Sequence, residues 1–190
     1  MRYPAGHKAK TRAAIEQAAG RAFRAHGAAG VGVDGLAQAA GLTSGAFYRH
    51  FKSKQAAFAT VAAAGAKRFA DGVAATAARA GDGWLGKFAG FYLGPQHRAD
   101  LPGGCALPSL TAEVARGDAA TRAAWEAELV GAMRAIAAAP GFAGTPDAEA
   151  RAWALVALLA GGVMLARSVD DEATAEAIAA GVLAAVSRAA

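Results

Sequence analysis

The sequence predicts an all-α protein, and three observations carry that prediction. Alanine fills 59 of the 190 positions, and it is the strongest helix former and a weak strand former. Apolar residues recur at helical spacing through most of the chain, without a stretch of convincing strand alternation. Glycine and proline punctuate those stretches and mark their ends. The aliphatic and aromatic content excludes a disordered chain. A chain of this length buries a core large enough to need no disulfide or metal staple.

The elements follow in order. Ile15, Ala18, Ala19, Ala22 and Phe23 form one apolar stripe on a first helix from about Lys8 to His26, ended by Gly27. Lys10, Arg12, Arg21 and Arg24 lie mostly off that stripe. A short second helix runs from about Val33 to Ala40, with Gly32 as a weak cap and Gly41 closing it. Thr43 and Ser44 can cap a short third helix ending near His50, and Ser53 a long fourth from Lys54 to about Ala80. Leu36, Leu42, Phe47, Phe51 and Phe58 form the expected small core with Ile15 and Phe23. Five further helices span about 82–93, 105–116, 118–139, 147–169 and 170–188, giving about nine in all. A loop is expected between Gly94-Pro95 and Gly103-Gly104, and another across 140–146.

The net charge of +5 is unevenly placed. Residues 1–68 hold 11 Lys and Arg against Glu16 and Asp34, a net of +9. Residues 69–190 hold nine against 13 acids, a net of −4. A basic head on a mildly acidic body suits a head that meets a polyanion. The N-terminus shows no apolar signal-peptide core, so a cytoplasmic protein is expected. The apolar run Ala152–Ala166 has 15 residues, short of the roughly 20 that span a bilayer, so no membrane partner is expected.

The segment from Val33 to Lys54 reads as a helix–turn–helix. Ala37 and Gly41 let two short helices cross closely, and the second would enter the DNA major groove by its N-terminal end. Small residues there (Thr43, Ser44, Gly45, Ala46) bring backbone and hydroxyls near phosphates and base edges. Tyr48 and His50 alternate with the apolar Phe47 and Phe51, Lys52 and Lys54 stand at the start of the next helix where they can meet another phosphate, and Lys8, Lys10 and Arg12 can reach nearby DNA backbone. The same pattern also fits a generic helical hairpin with solvated charges.

This segment resembles the DNA-binding domain of the TetR/AcrR family of transcriptional regulators. The match runs Ala37-x-x-Ala40-Gly41-Leu42-Thr43-x-Gly45-x-Phe47-Tyr48-x-His50-Phe51-x-Ser53-Lys54, preceded by Thr11-Arg12-x-x-Ile15-x-x-Ala18-x-x-x-x-Phe23. The resemblance implies a DNA-binding domain over 8–68 and a ligand-binding and dimerisation bundle over 69–190. It implies that Tyr48, His50 and Lys54 bind phosphates and that Thr43, Ser44, Gly45 and Ala46 influence operator choice. It also implies a homodimer on a pseudo-palindromic double-stranded operator, acting as a repressor released by a small-molecule effector or by thiol modification. Gly32 departs from the Ser or Thr usual at that cap, and Gly35 inside a short helix costs about 1 kcal/mol relative to alanine.

In the body, Phe88, Phe91, Tyr92, Trp125, Trp153, Met133 and Met164 suit a mostly apolar pocket. They equally suit an ordinary core. The small residues of the last two helices suit close packing, either across a two-fold axis or within the chain. Cys105, the single cysteine, stands at a helix start after Gly103-Gly104, where the helix dipole can lower a thiol pKa. Family members with a similar Gly-Cys-x-Leu segment include thiol sensors and proteins that are not. Cys105 is equally a small buried residue.

Enzyme signatures are missing from the sequence. His7, His26, His50 and His97 lack metal-ligand spacing, and no phosphate-binding glycine loop or nucleophile elbow occurs. The sequence therefore suggests no metal, cofactor or catalytic residue. The remaining catalytic alternative is a thiol-dependent helical enzyme using Cys105 with His97, which would need an oxyanion hole and an orienting acid.

Overall fold

The computed structural model describes residues 5–189, with side chains from 9 to 188. It is all-helical there: α1 (Ala5–His26), α2 (Val33–Ala39), α3 (Ser44–Tyr48), α4 (Lys54–Ala80), a 3₁₀ turn (Gly81–Gly83), α5 (Trp84–Leu93), α6 (Pro95–Ala99), α7 (Ala106–Ala115), α8 (Ala119–Ala137), α9 (Ala148–Arg167) and α10 (Glu172–Ala189). The expected all-α architecture and the nine principal helices are present, with α6 as an addition. The segment after Gly94 was expected to be loop. Pro95 at the first helical position instead starts a five-residue helix, where its fixed φ and missing N–H cost nothing.

The ends of the head helices follow their local chemistry. Gly27 (φ 73°) and Gly41 (φ 68°) take the left-handed conformation that stops α1 and α2. Beyond Gly41 the chain turns at once, the Leu42 N–H donating to the Ala37 carbonyl at 2.9 Å. Thr43 and Ser53 cap α3 and α4, their hydroxyls accepting from the Ala46 and Ala56 N–H groups at 3.3 and 3.0 Å. Gly32, as expected, supplies no side-chain cap to α2.

These ends set the crossing of α1, α2, α3 and the start of α4. Ile15, Phe23, Leu36, Phe47, Phe51 and Phe58 close the space between them and are buried. Phe23 meets Phe58 edge-on at 5.4 Å, the geometry ring quadrupoles favour.

The long α4 leaves this head and becomes the central helix of the body, packed most extensively against α8 and also against α5 and α7. The division at residue 68 thus falls inside one continuous helix. Trp84 anchors the far end, buried against Phe88 and Phe142 with its indole N–H on the Pro140 carbonyl at 2.9 Å. Among the described residues α9 is the one helix long and apolar enough to cross a membrane. Leu155, Leu159 and Val163 seat one face of it in the core, while Trp153, Met164 and Leu165 stay exposed.

Alpha-helical propensity does not decide every position. A Cβ placed on Gly65 of α4 would lie well inside contact distance of the Ala106 methyl at the start of α7. Gly65→Ala should therefore destabilise the protein by about 1–3 kcal/mol through overpacking, although alanine is intrinsically better in a helix by about 1 kcal/mol. Urea unfolding checks this, and a raised midpoint would refute the close approach.

Candidate nucleic-acid interface and body cavity

The first turn of α3 is shaped by its small residues. Thr43 and Gly45 are exposed, and Ser44 and Ala46 are half-buried. The Ala46 and Phe47 amides donate to the Thr43 carbonyl, so the Ser44 and Gly45 amides precede the first intrahelical bond and face outward as donors. Ser44 is less free than its sequence suggests, because its hydroxyl donates to the Asp34 carboxylate of α2. Tyr48 is 55% exposed, braced edge-on by Phe47 at 5.8 Å. Arg49 and Lys52 are exposed beside it, and His50 is half-buried.

Several basic residues of the head turn inward instead. Lys54 was expected to meet a phosphate, but its ammonium donates to the Ala28 and Val31 carbonyls at 2.8 and 3.2 Å. Both carbonyls lie in the α1–α2 connection, where no helical N–H reaches them, and the lysine supplies the missing donor. Arg12 was expected to reach the DNA backbone. It donates to the His50 carbonyl at 2.8 Å, pairs with Glu16 at 2.9 Å and lies 4.4 Å over the Phe51 ring. Arg24, expected off the apolar stripe, is only 8% exposed, and its Nε donates to the Pro102 carbonyl at 2.7 Å. Lys10 is exposed on α1, while the side chain of Lys8 lies outside the described residues.

A cavity of about 240 Å³ opens in the body between α4, α5 and the segment from His97 to Ala106. Phe88, Phe91, Tyr92 and Cys105 line it, as the sequence suggested. The other four candidates do not. Trp125 and Met133 are buried in the core, and Trp153 and Met164 point outward at 39% and 46% exposure. Helical spacing identifies apolar residues without saying which core layer they enter, so these four carried no distinguishing signal. The remaining walls, Gly65, Arg68, Phe69, Gly72, His97, Gly103, Gly104 and Ala106, were missed. The glycines were the available hint, since they leave room where side chains would fill it.

The polar end of the cavity is tightly wired. His97 Nδ1 lies 2.6 Å from the Tyr92 carbonyl, and its Nε2 accepts from the Cys105 N–H at 3.1 Å. That pair of partners defines a neutral ring protonated on Nδ1, and burial lowers the His97 pKa accordingly. Cys105 Sγ accepts from the Leu107 N–H at 3.4 Å as the cap of α7. Burial nevertheless pushes the thiol pKa up, against the lowering that a helix start can give, as suits the reading of Cys105 as a small buried residue. Arg167 holds the segment from outside, donating to the Arg98 and His97 carbonyls at 2.9 and 2.8 Å.

A three-helix head that presents a short, small-residued helix, joined by one helix to an all-helical body, is a helix–turn–helix architecture on a helical bundle. Residues 15–61, within the head, match the family described as bacterial regulatory proteins, tetR family. The whole chain shares its fold with TetR-family regulators. The reduced form of NemR from E. coli superposes with a TM-score of 0.78 at 18% identity, covering 94% of this chain and 97% of that one. SCO4454, a TetR-family regulator from Streptomyces coelicolor, gives 0.75 at 23% identity, covering 95% and 94%. FadR from Bacillus subtilis, solved in complex with stearoyl-CoA, gives 0.64 at 16% identity, covering 92% and 96%. No curated protein matches the sequence.

Two outcomes test this wiring. Lys54→Met should lower stability by about 1 kcal/mol, because two part-buried carbonyls lose their donor. An unchanged urea midpoint would show that Lys54 is free after all. His97 titrates near 6.5 when unfolded and lower when folded, so the folded state binds fewer protons in that window. Stability should then fall as the pH drops from 7 through the folded value. His97→Asn should flatten that part of the urea-midpoint profile.

Proposed function

We propose that this chain is a ligand-responsive transcriptional regulator, a homodimer that represses from a pseudo-palindromic operator and leaves it when a small molecule occupies the body cavity. The observation that carries this reading is the course of α4. Its capped N-terminus stands directly after α3 in the head, and Gly65, Arg68, Phe69 and Gly72 of the same helix form a cavity wall. A ligand that bound better to one setting of α4 would thereby favour one setting of the head.

On the DNA, Thr43, Ser44, Gly45 and Ala46 face the groove, and Tyr48, His50 and Lys52 hold phosphates. Lys54 supports the interface from behind. Residues 8–68 act as the DNA-binding unit and 69–190 as the ligand-binding and dimerisation unit. The exposed Trp153, Met164 and Leu165 on α9 support an apolar two-fold interface there. This is a cytoplasmic role without cofactor or membrane.

A small molecule is the better-supported trigger than thiol modification, because burial raises the Cys105 pKa and so disfavours the reactive thiolate. The same facts weigh against a thiol enzyme. The Nε2 of His97 is occupied by the Cys105 backbone N–H and not by its sulfur, so the thiol lacks its general base.

With the cationic Lys52 and the exposed Arg49 of each protomer on phosphates, log K against log salt on duplex DNA should fall with a slope of about −4 for the dimer. Lys52→Ala should reduce that slope by about 2, whereas Lys54→Met should leave it unchanged in protein that remains folded. Fluorescence anisotropy with labelled duplex measures both, and a slope near zero would overturn DNA binding.

A further inference from the structure

We infer that the body cavity takes a small apolar anion, its charged group held between Arg68 of α4 and Arg24 of α1 and its apolar part against Phe69, Phe88 and Tyr92. This deepens the reading of the cavity as the effector site and rests on it. Four observations support the assignment. First, Arg68 is the one charged side chain lining the cavity among the described residues. His97 there is neutral, so no carboxylate answers the charge.

Second, Arg68 and Gly103 also line an adjoining cleft between α1 and α4 whose other basic walls are Arg21 and Arg24. Arg68 is thus common to the cavity and the cleft, and it lies near enough to Arg24 to act on its charge. Third, Arg24 is more than nine-tenths buried, and although its Nε is bonded to Pro102, its Nη1 is buried without a partner. Burial and the neighbouring Arg68 push its pKa down to about 10, so it remains a cation at neutral pH.

Fourth, the nearby acids are already engaged. Glu16 pairs with Arg12 at 2.9 Å, and Asp100 accepts from the Gly103 N–H at 2.8 Å. A buried guanidinium donor left without an acceptor is costly. A carboxylate, phosphate or sulfonate on the ligand supplies that acceptor with charge-assisted bonds. Such a ligand would bridge the head, through Arg24, to the body, through Arg68.

Isothermal titration of the full-length protein with 2-naphthoate and with neutral 2-naphthalenemethanol tests the inference. The acid should bind with one site per chain and roughly tenfold or more tighter than the alcohol, the increment of one charge-assisted contact. Arg68→Gln, at an exposed position that leaves the fold intact, should bring the two affinities together without weakening the alcohol. Arg24→Gln should do the same, with circular dichroism to confirm folding. Equal affinities in the wild type, an unchanged ratio in Arg68→Gln, or no binding of either compound would overturn the inference. Binding of the acid with no change in DNA affinity would uphold the anion site while removing the ligand-responsive regulator reading.

Discussion

The backbone of α4 approaches the Ala106 methyl of α7 so closely at Gly65 that no side chain fits on α4 there. Neither residue contributes a contact of any strength alone, yet their smallness fixes the spacing of everything around them. On the same side of the molecule the Pro102 carbonyl accepts from Arg24 of α1, and Glu113 of α7 accepts from the Ala28 N–H at 2.7 Å. The small residues also leave the cavity beside α4 rather than filling it. An alanine-rich chain builds such an arrangement readily, because short side chains let helix axes close up and lose little rotamer freedom on folding.

The basic head owes its charge to two kinds of residue with different physical roles. Lys52 and Arg49 stand in solvent beside Tyr48, where a polyanion can neutralise them. Arg12, Arg24 and Lys54 satisfy backbone carbonyls at connections that helices leave unpaired. Long cationic side chains suit both roles, since their stems pack against apolar neighbours while their ends donate several hydrogen bonds. Net charge counts both kinds alike. It therefore marks the head as a whole and does not separate the solvent-facing cations from the structural ones.

What was legible in the sequence was whatever depends on nearby residues. The left-handed glycines 27 and 41, the caps at Thr43 and Ser53 and the apolar stripe from Ile15 to Phe23 are all local, and all are found. The addition of α6 reflects a proline read as a stop when its position made it a start. The cavity was half legible, because Phe88 and Tyr92 lie on one helix face while Arg68 and His97 arrive from elsewhere. Lys54 and Arg24 were misread for the same reason. Their partners lie 23 to 78 residues away, and nothing in local spacing announces a carbonyl at that remove.

The bonds from Arg24 to Pro102 and from Glu113 to Ala28 have a consequence for the folding of the chain. With α4 common to both parts, each of these bonds ties the head to a segment of the body. The head is then not an autonomous folding unit, and losing the body would remove both its outer props and half of its longest helix. The protein should melt in one cooperative transition, its head amides exchanging with solvent no faster than those of the body core. A mutation deep in the body would then reach the DNA without touching it, by changing the fraction of molecules in which the head is assembled at all.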